Sequence, residues 1–443
     1  MKPRMQKLLS KLVLLVLLGY SQIVAAQDLV TVYKLALDND AELQIAESDY
    51  LASLQAVPFA RAGNKPQISL NADASASEID GSDTDSSSES RAGYSLNLTQ
   101  SLYDNVVTGN INAAEATVAA RLARVQAARQ DLVLRVAQTY FGILAAHDNV
   151  DFTHAERTAI ARQLEQAEKR FEVGLIAITD VHEAQARFDT SDAQAILAEN
   201  ILENAYQALV VITGQDNIRK LSRLGDDLKL EVPQPTGSEA WVKLALEFNR
   251  DLIAAKQNLS AARFERDKNA RLGYPTLDFI ARYADSDFNS DSDFRQNSSR
   301  EDITVGLELE VPLYTGGRIS SEQARSESEY SSAQNTVLLQ NRLATQQART
   351  AYLDVVSGIS SVKAFKQALA STNIALEATQ AGFEVGTRTS VDVLISVRET
   401  FRANLEYAGS RYEFLINSLK LRQAAGILQE DDLFEINRWL GKQ

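Results

Sequence analysis

His147, His154 and His182 are the only imidazoles in a chain of 443 residues that contains no cysteine. His147 and His154 stand seven residues apart, about two helical turns, so one helix face could present both to a metal. A third ligand is missing from that spacing, and the pair is better read as packed or solvated helix residues. Asp285, Asp287, Asp291 and Asp293 crowd the segment DSDFNSDSDF. They offer carboxylate oxygens, but no glycine turn and no closing glutamate complete a calcium loop. Without cysteine there are no disulfides and no thiolate metal site. No phosphate-cradling glycine loop and no nucleophile motif occurs, so no enzyme and no cofactor are expected. Two other carboxylates recur in a pattern. FEVGLIAITDV (Phe171 to Val181) and FEVGTRTSVDV (Phe383 to Val393) share six of eleven residues at an offset of 212, and each carries an aspartate, Asp180 and Asp392. An aspartate in the first turn of a helix is favoured by the helix dipole. Gly174 and Gly386 suit the left-handed residue that ends the helix before it.

These positions belong to a longer duplication. YKLALDND at Tyr33 corresponds to VKLALEFN at Val242, Lys65-Pro66 to Tyr274-Pro275, and SLYDN around Tyr103 to PLYTG around Tyr314. The offsets stay between 209 and 212, so the chain is two copies of one unit of about 200 residues. The division expected is a leader over 1–26, a first repeat over 27–223, a linker over 224–240, a second repeat over 241–426 and a tail over 427–443. The linker segment LGDDLKLEVPQPTGSEA holds two of the seven prolines.

Each repeat has the same internal order. A helical stretch comes first, Leu29 to Ala62 and Glu239 to Leu272; Pro58 ends or kinks the first, and Pro66 and Pro275 stop both. Two alternating segments follow. Ile68, Leu70, Ala72 and Ala74 alternate with polar residues, as do Tyr94, Leu96 and Leu98. In the second repeat Leu277, Phe279, Ala281 and Tyr283 alternate, and Val305, Leu307, Leu309 and Val311 are set against Gly306, Glu308 and Glu310. Period two with one apolar face predicts strands of about ten residues. The segments Glu78 to Ser90 and Asp285 to Arg300, rich in Ser and Asp, are expected as polar loops. Then come helices of some 65 residues without proline, Val107 to Glu172 and Ile319 to Glu384, each a rod of about 100 Å. After a glycine turn a second helix returns for about 35 residues. Along the second return Leu394, Val397, Phe401, Leu405, Ala408, Tyr412, Leu415 and Leu419 step by threes and fours, a coiled-coil seam.

The first residues, MKPRMQKLLSKLVLLVLLGYSQIVAAQ, place Lys2, Arg4, Lys7 and Lys11 before an apolar run and small residues before Gln27. That is the layout of a secretory signal peptide. Its loss would take the formal net charge from −14 to about −18. So acidic a chain argues against nucleic acid as a partner. No later apolar segment is expected to cross a bilayer as a helix. Strands can cross, but only as a closed barrel, because lipid offers backbone groups no hydrogen bonds. Four strands are too few for a barrel, so closure requires several copies. The competing reading is a periplasmic coiled-coil scaffold or adaptor that forms no pore. Leucine and valine at period two separate the two readings, since a scaffold needs no lipid-facing surface.

RFEVGLIAITDVHEAQARFDT (Arg170 to Thr190) and VGTRTSVDVL (Val385 to Leu394) resemble the TolC-like outer-membrane channels of efflux pumps and type I secretion. LTQSLYD (Leu98 to Asp104) and VPLYTGGR (Val311 to Arg318) extend the resemblance, which covers essentially the whole chain after the leader. It implies a mainly α fold with a small β part. In such a homotrimer a coiled-coil helical tunnel reaches through the periplasm, and four strands per chain build a 12-stranded barrel in outer-membrane lipid. The linker and tail would belt the tunnel's middle. The implied function is export of small molecules or proteins, handed over by an inner-membrane transporter and a periplasmic adaptor (membrane fusion protein). The resemblance also implies site roles. Thr179 would lie near Phe383 and Asp180 near Arg388 as gate contacts, and Asp392 would ring the pore constriction. Val173, Gly174, Leu175, Val385, Gly386 and Thr387 would be the adaptor-docking tips. Two departures stand out: Phe383 where some relatives have tyrosine, and Ile395 where some have a second acid.

Overall fold

In the computed structural model, residues 26–81, 84–225, 227–290 and 297–441 are described, with the side chains of 79–81 and 84–87 left aside. The expected leader, apart from Ala26, therefore lies outside the described residues, as do Asp291 and Asp293 of the aspartate cluster. The chain divides into two compact units, and each draws on both halves of the sequence. One comprises residues up to Gln44, Ala128–Asn249 and Ala344 onward; the other comprises Ile45–Ala127 and Arg250–Leu343.

The second unit holds the sheet. Strands β1 (Gln67–Gly81), β2 (Thr84–Tyr103), β3 (Thr276–Ser290) and β4 (Ser298–Glu310) pair antiparallel in sequence order, so β2 of the first repeat lies beside β3 of the second. Their register aligns the apolar residues in rows across all four strands. Leu70 pairs with Leu96, Leu96 with Tyr283, and Tyr283 with Ile303; the next row is Ile68, Leu98, Ala281 and Val305. The opposite face carries the row Ser69, Asn97, Arg282 and Thr304. Not one strand residue among those described is buried. Leu70, Ile303 and Val305 remain 69%, 74% and 65% exposed, an apolar face that no described residue covers.

These strands are 13 to 20 residues long rather than about ten. Most of the segments Glu78 to Ser90 and Asp285 to Arg300, expected as loops, continue the ladder: Glu78 pairs with Ser88 and Asp287 with Ser299. Once two strands are in register, backbone hydrogen bonds extend the hairpin whatever the side chains. Composition therefore marks where the apolar face ends, not where the strand ends.

In the first unit, helix α1 (Leu29–Asn39) opens on Asp28, whose carboxylate accepts from Thr31 N at 2.8 Å. Helices α2 (Ala41–Leu54) and α3 (Ala56–Ala62) follow along the chain, with a break at Gln55, and α3 belongs to the second unit. Pro58 lies in the first turn of α3, where its missing N–H costs nothing. The long helices are α4 (Asn105–Glu172) and α5 (Ile178–Thr213), then, after α6 (Ser238–Phe248) and α7 (Arg250–Asn269), α8 (Arg318–Glu384) and α9 (Ser390–Ala424). Helix α10 (Glu430–Asn437) closes the described chain. By length and mean hydropathy α5 is apolar enough to cross a membrane, against the expectation that nothing after the leader qualifies. Its Ile196, Leu197 and Ile201 are exposed.

The core of this unit gathers α1, α4, α5, α8, α9 and α10 around Tyr140, Phe141, Leu209, Val355, Leu415 and Leu433. Phe141 stacks on Tyr412 and meets Tyr140 edge-on. Between α1 and α2 the buried Asp40 accepts both ends of the Arg135 guanidinium at 2.9 Å and the Leu43 amide at 2.8 Å. Burial alone would raise its pKa; the guanidinium and the amide outweigh it and hold the carboxyl below its usual range. The linker and tail pair with each other: Gly225 N donates to Trp439 O and Gly441 N to Arg223 O, both at 2.8 Å. The first and last helices also meet, through Asn437 Nδ2 to Asp28 Oδ2 and Tyr33 Oη to Glu430 Oε1, both 2.9 Å.

Gly426 ends α9 at a φ of +73°, and a Cβ there would lie 2.0 Å from the Phe248 carbonyl oxygen. Gly386 has a φ of +78° but open space around it. Gly426→Ala should therefore cost about 3–4 kcal/mol, combining strain with backbone overlap, whereas Gly386→Ala should cost only about 1 kcal/mol. Denaturant unfolding of the two variants checks this; equal losses would contradict it.

Candidate functional site at the hairpin tips

Helices α4 and α5 form one antiparallel hairpin, and α8 and α9 form another. Both turns use the same backbone device. In the first, Gly174 takes a φ of +73° and donates to Phe171 O at 2.8 Å, while Leu175 N donates to Arg170 O at 2.8 Å. In the second, Gly386 donates to Phe383 O at 3.2 Å and Thr387 N to Gly382 O at 2.8 Å. These are paired Schellman closures, which satisfy the last carbonyls of a helix and need a left-handed residue. The second turn is tied more heavily, since the Gly382 carbonyl also accepts from Thr387 Oγ1 at 3.0 Å and Arg388 N at 3.2 Å. At the apices Val173, Leu175 and Val385 are 69%, 73% and 77% exposed. Gly174, Gly386 and Thr387 are exposed beside them.

The two return helices start differently. Helix α9 begins with a complete capping box. Thr389 N and Oγ1 donate to Asp392 Oδ2 at 2.9 and 3.0 Å, and Asp392 N donates to Thr389 Oγ1 at 3.2 Å. The Thr389 amide and then its hydroxyl hold the Asp392 carboxyl below its usual range, with the charge of Arg388 adding to them. Helix α5 begins on Ala177 with no side-chain cap, and Asp180 N donates to Ala177 O at 3.1 Å.

The expected gate residues are arranged as follows. Thr179 and Arg388 are exposed, Asp180 and Phe383 half-buried. Within one chain Asp180 and Arg388 form no ion pair, and neither side chain has a hydrogen-bond partner among the described residues. The charge of Arg388 acts on Asp392 instead. Phe383 is covered instead by the guanidinium of Arg170, whose central carbon lies 4.2 Å from the ring centroid. Sequence reasoning missed this contact and the Thr389 cap. The cap had a signal, because Thr389 and Asp392 have the spacing of a capping box with Asp in place of Glu. Among the described residues no cluster of three or more His, Cys, Asp or Glu could hold a metal. His147 Nε2 meets Tyr206 Oη and His154 Nε2 meets Glu199 Oε1, both at 2.9 Å.

Because the folded pKa of Asp392 is lowered, the capping contribution of its charge is present above about pH 4 and is lost as pH falls through the folded value. Thr389→Ala removes the hydroxyl donor and keeps the amide, so the Asp392 pKa should rise part of the way toward its ordinary value. Carboxyl titration followed by NMR reads this directly; an unmoved pKa would show that the box does not govern the carboxylate.

The outer membrane efflux protein family profile matches residues 32–215 and 241–427. Outer membrane protein TolC of Vibrio cholerae is 38% identical, across 98% of this chain and 99% of its own length. Proteases secretion protein PrtF of Dickeya chrysanthemi is 28% identical, across 94% of this chain and 91% of its own. In fold, the Campylobacter jejuni CmeC outer membrane channel superposes with a TM-score of 0.78 at 16% identity, covering 93% of this chain and 90% of that one. The rows of lipid-ready residues, the paired hairpins and these matches lead to one conclusion: the chain belongs to the outer membrane efflux protein family.

Proposed function

We propose that three copies of the chain close a single 12-stranded barrel in outer-membrane lipid and join their hairpins into a periplasmic duct. One observation carries this reading. Among the described residues the sheet has an in-register apolar face with no helix upon it and two edge strands, β1 and β4, that pair with nothing outside the sheet. An open edge in lipid leaves its N–H and C=O groups unsatisfied, each at a cost of several kcal/mol. Four strands cannot close; about eight are the minimum, and three copies give more room for a lumen than two. The exposed apolar residues of α5 supply a surface for packing between copies.

Through this duct the protein passes small molecules or proteins, received from an inner-membrane transporter by way of a periplasmic adaptor. The secretion role named for PrtF and the efflux family both support that traffic. The exposed Val173, Leu175 and Val385 at the glycine turns are the adaptor's landing points. Asp180 and Arg388, in no ion pair among the described residues of one chain, meet across neighbouring hairpins and hold the entrance shut. A carboxylate–guanidinium pair of this kind is strong enough to bias a two-state element. Asp392, repeated around the axis, favours cations at the constriction.

Conductance of the purified protein in planar bilayers, with chemical crosslinking to count subunits, tests the whole reading. A crosslinked trimer carrying small currents is expected. A monomer without channel activity would sink it. Arg388→Ala should raise the conductance severalfold and Asp180→Ala should do the same; unchanged currents would reduce both residues to roles in their own helices.

A further inference from the structure

Each hairpin is tied to itself. In the first, Arg157 pairs with Asp192 at 2.5 Å; in the second, Ser396 Oγ donates to Thr379 Oγ1 at 3.2 Å and Thr400 Oγ1 to the Thr372 carbonyl at 3.3 Å. Between the two hairpins the tips are joined by one contact, the Arg170 guanidinium over the Phe383 ring at 4.2 Å. Among the described residues no other hydrogen bond, ion pair or ring contact links residues 160–190 to residues 370–400. Arg170 has no carboxylate partner there, so its charge has the ring face in place of an anion. Both residues are also anchored by their backbones. The Arg170 carbonyl accepts Leu175 N at 2.8 Å and the Phe383 carbonyl accepts Gly386 N at 3.2 Å, so each stands in the closure of its own glycine turn.

We infer that Arg170 and Phe383 form a cation–π clamp that holds the two hairpins of one chain together at the entrance, as a second lock beside the contact between copies. The inference rests on the channel reading and assigns Arg170 a positioning role. Phenylalanine lacks a hydroxyl and cannot be held by a hydrogen bond, but its ring face attracts a cation. Guanidinium is the cation best suited, being planar, weakly hydrated and permanently charged. Parting the hairpin tips must break the contact, so it favours the joined state by whatever free energy the contact contributes. For a partly exposed pair that corresponds to about a two- to fivefold bias in the closed-to-open ratio per chain. Because the charge is an arginine's, the clamp keeps its charge at every physiological pH.

Single-channel recordings on the full-length protein test the clamp through four variants. Arg170→Ala and Phe383→Leu should each raise the open fraction about two- to fivefold per chain, the second because leucine keeps apolar bulk but has no π face. Phe383→Trp, which retains the face, should stay closed like the wild type. The double variant Arg170→Ala/Phe383→Leu should exceed neither single variant, since the two residues act as one contact. Wild-type behaviour of both single variants, or additive effects in the double, overturns the clamp. A second readout is independent of conduction: trypsin should cleave after Arg170 faster in Phe383→Leu than in wild type. If the wild-type protein carries no current, the channel reading fails and the cleavage rates decide. Faster cleavage then upholds the clamp, and equal rates overturn it.

Discussion

A hydrocarbon bilayer accepts no unpaired backbone group, and the architecture follows from that prohibition. A sheet with the order β1-β2-β3-β4 satisfies its inner strands and leaves its outer two open. In water such edges are tolerated or shielded; in lipid they must be paired or removed. The sheet's apolar rows run exposed across all four strands, no strand residue among those described is buried, and the hydrophobic core is in the other unit. The sheet is thus an incomplete wall, and the proposed trimer supplies what is missing. In that proposed trimer the rest of the chain has the task of bringing three such walls to one axis in register. Long helices packed by their own core are suited to that task, because they are stiff and meet at defined angles.

Most of the helical layout was legible, and for physical reasons. Val107 to Glu172 and Ile319 to Glu384 lack proline and end in glycine, and the observed α4 and α8 differ from those bounds by at most two residues. The strands were legible only over their apolar part. Beyond it the ladder continues through backbone pairing, which leaves no trace in side-chain pattern, so Glu78 and Asp287 read as loop and pair as strand. The hydropathy of α5 was underread for a related reason: its apolar residues are interrupted by Glu199 and Glu203, which break a run without lowering the average far.

At the tips, what could be read was the turn and what could not was the partner. Glycine at a left-handed position announces itself in one residue. Contacts such as Arg170 with Phe383 join different repeats, and neither side chain's neighbourhood in the sequence points to the other. The two turns show how a duplicated element diverges. Their backbone closures are the same, since the hydrogen bonds permit little else. Their side chains separate: Thr387, Arg388 and Thr389 on one side, Leu175, Ile176 and Ala177 on the other. Only the second copy gains the extra donors on the Gly382 carbonyl and the full capping box. One hairpin is therefore stiffly finished and the other is looser at its return.

The hydrogen bond between Asp28 and Asn437 spans 409 positions of sequence. Synthesis delivers Asp28 long before Asn437. Until α10 has emerged, α1 has no Asn437 or Glu430 to meet, and the core it belongs to lacks Leu433 and Ile436. The core draws on both repeats, from Leu29 and Tyr140 of the first to Leu415 and Leu433 at the far end of the chain. Contacts this distant are slow to form, because the loop they close must be paid for in entropy before it is rewarded. A core closed by residues from both repeats is complete only when both are in place, and α10 is its latch.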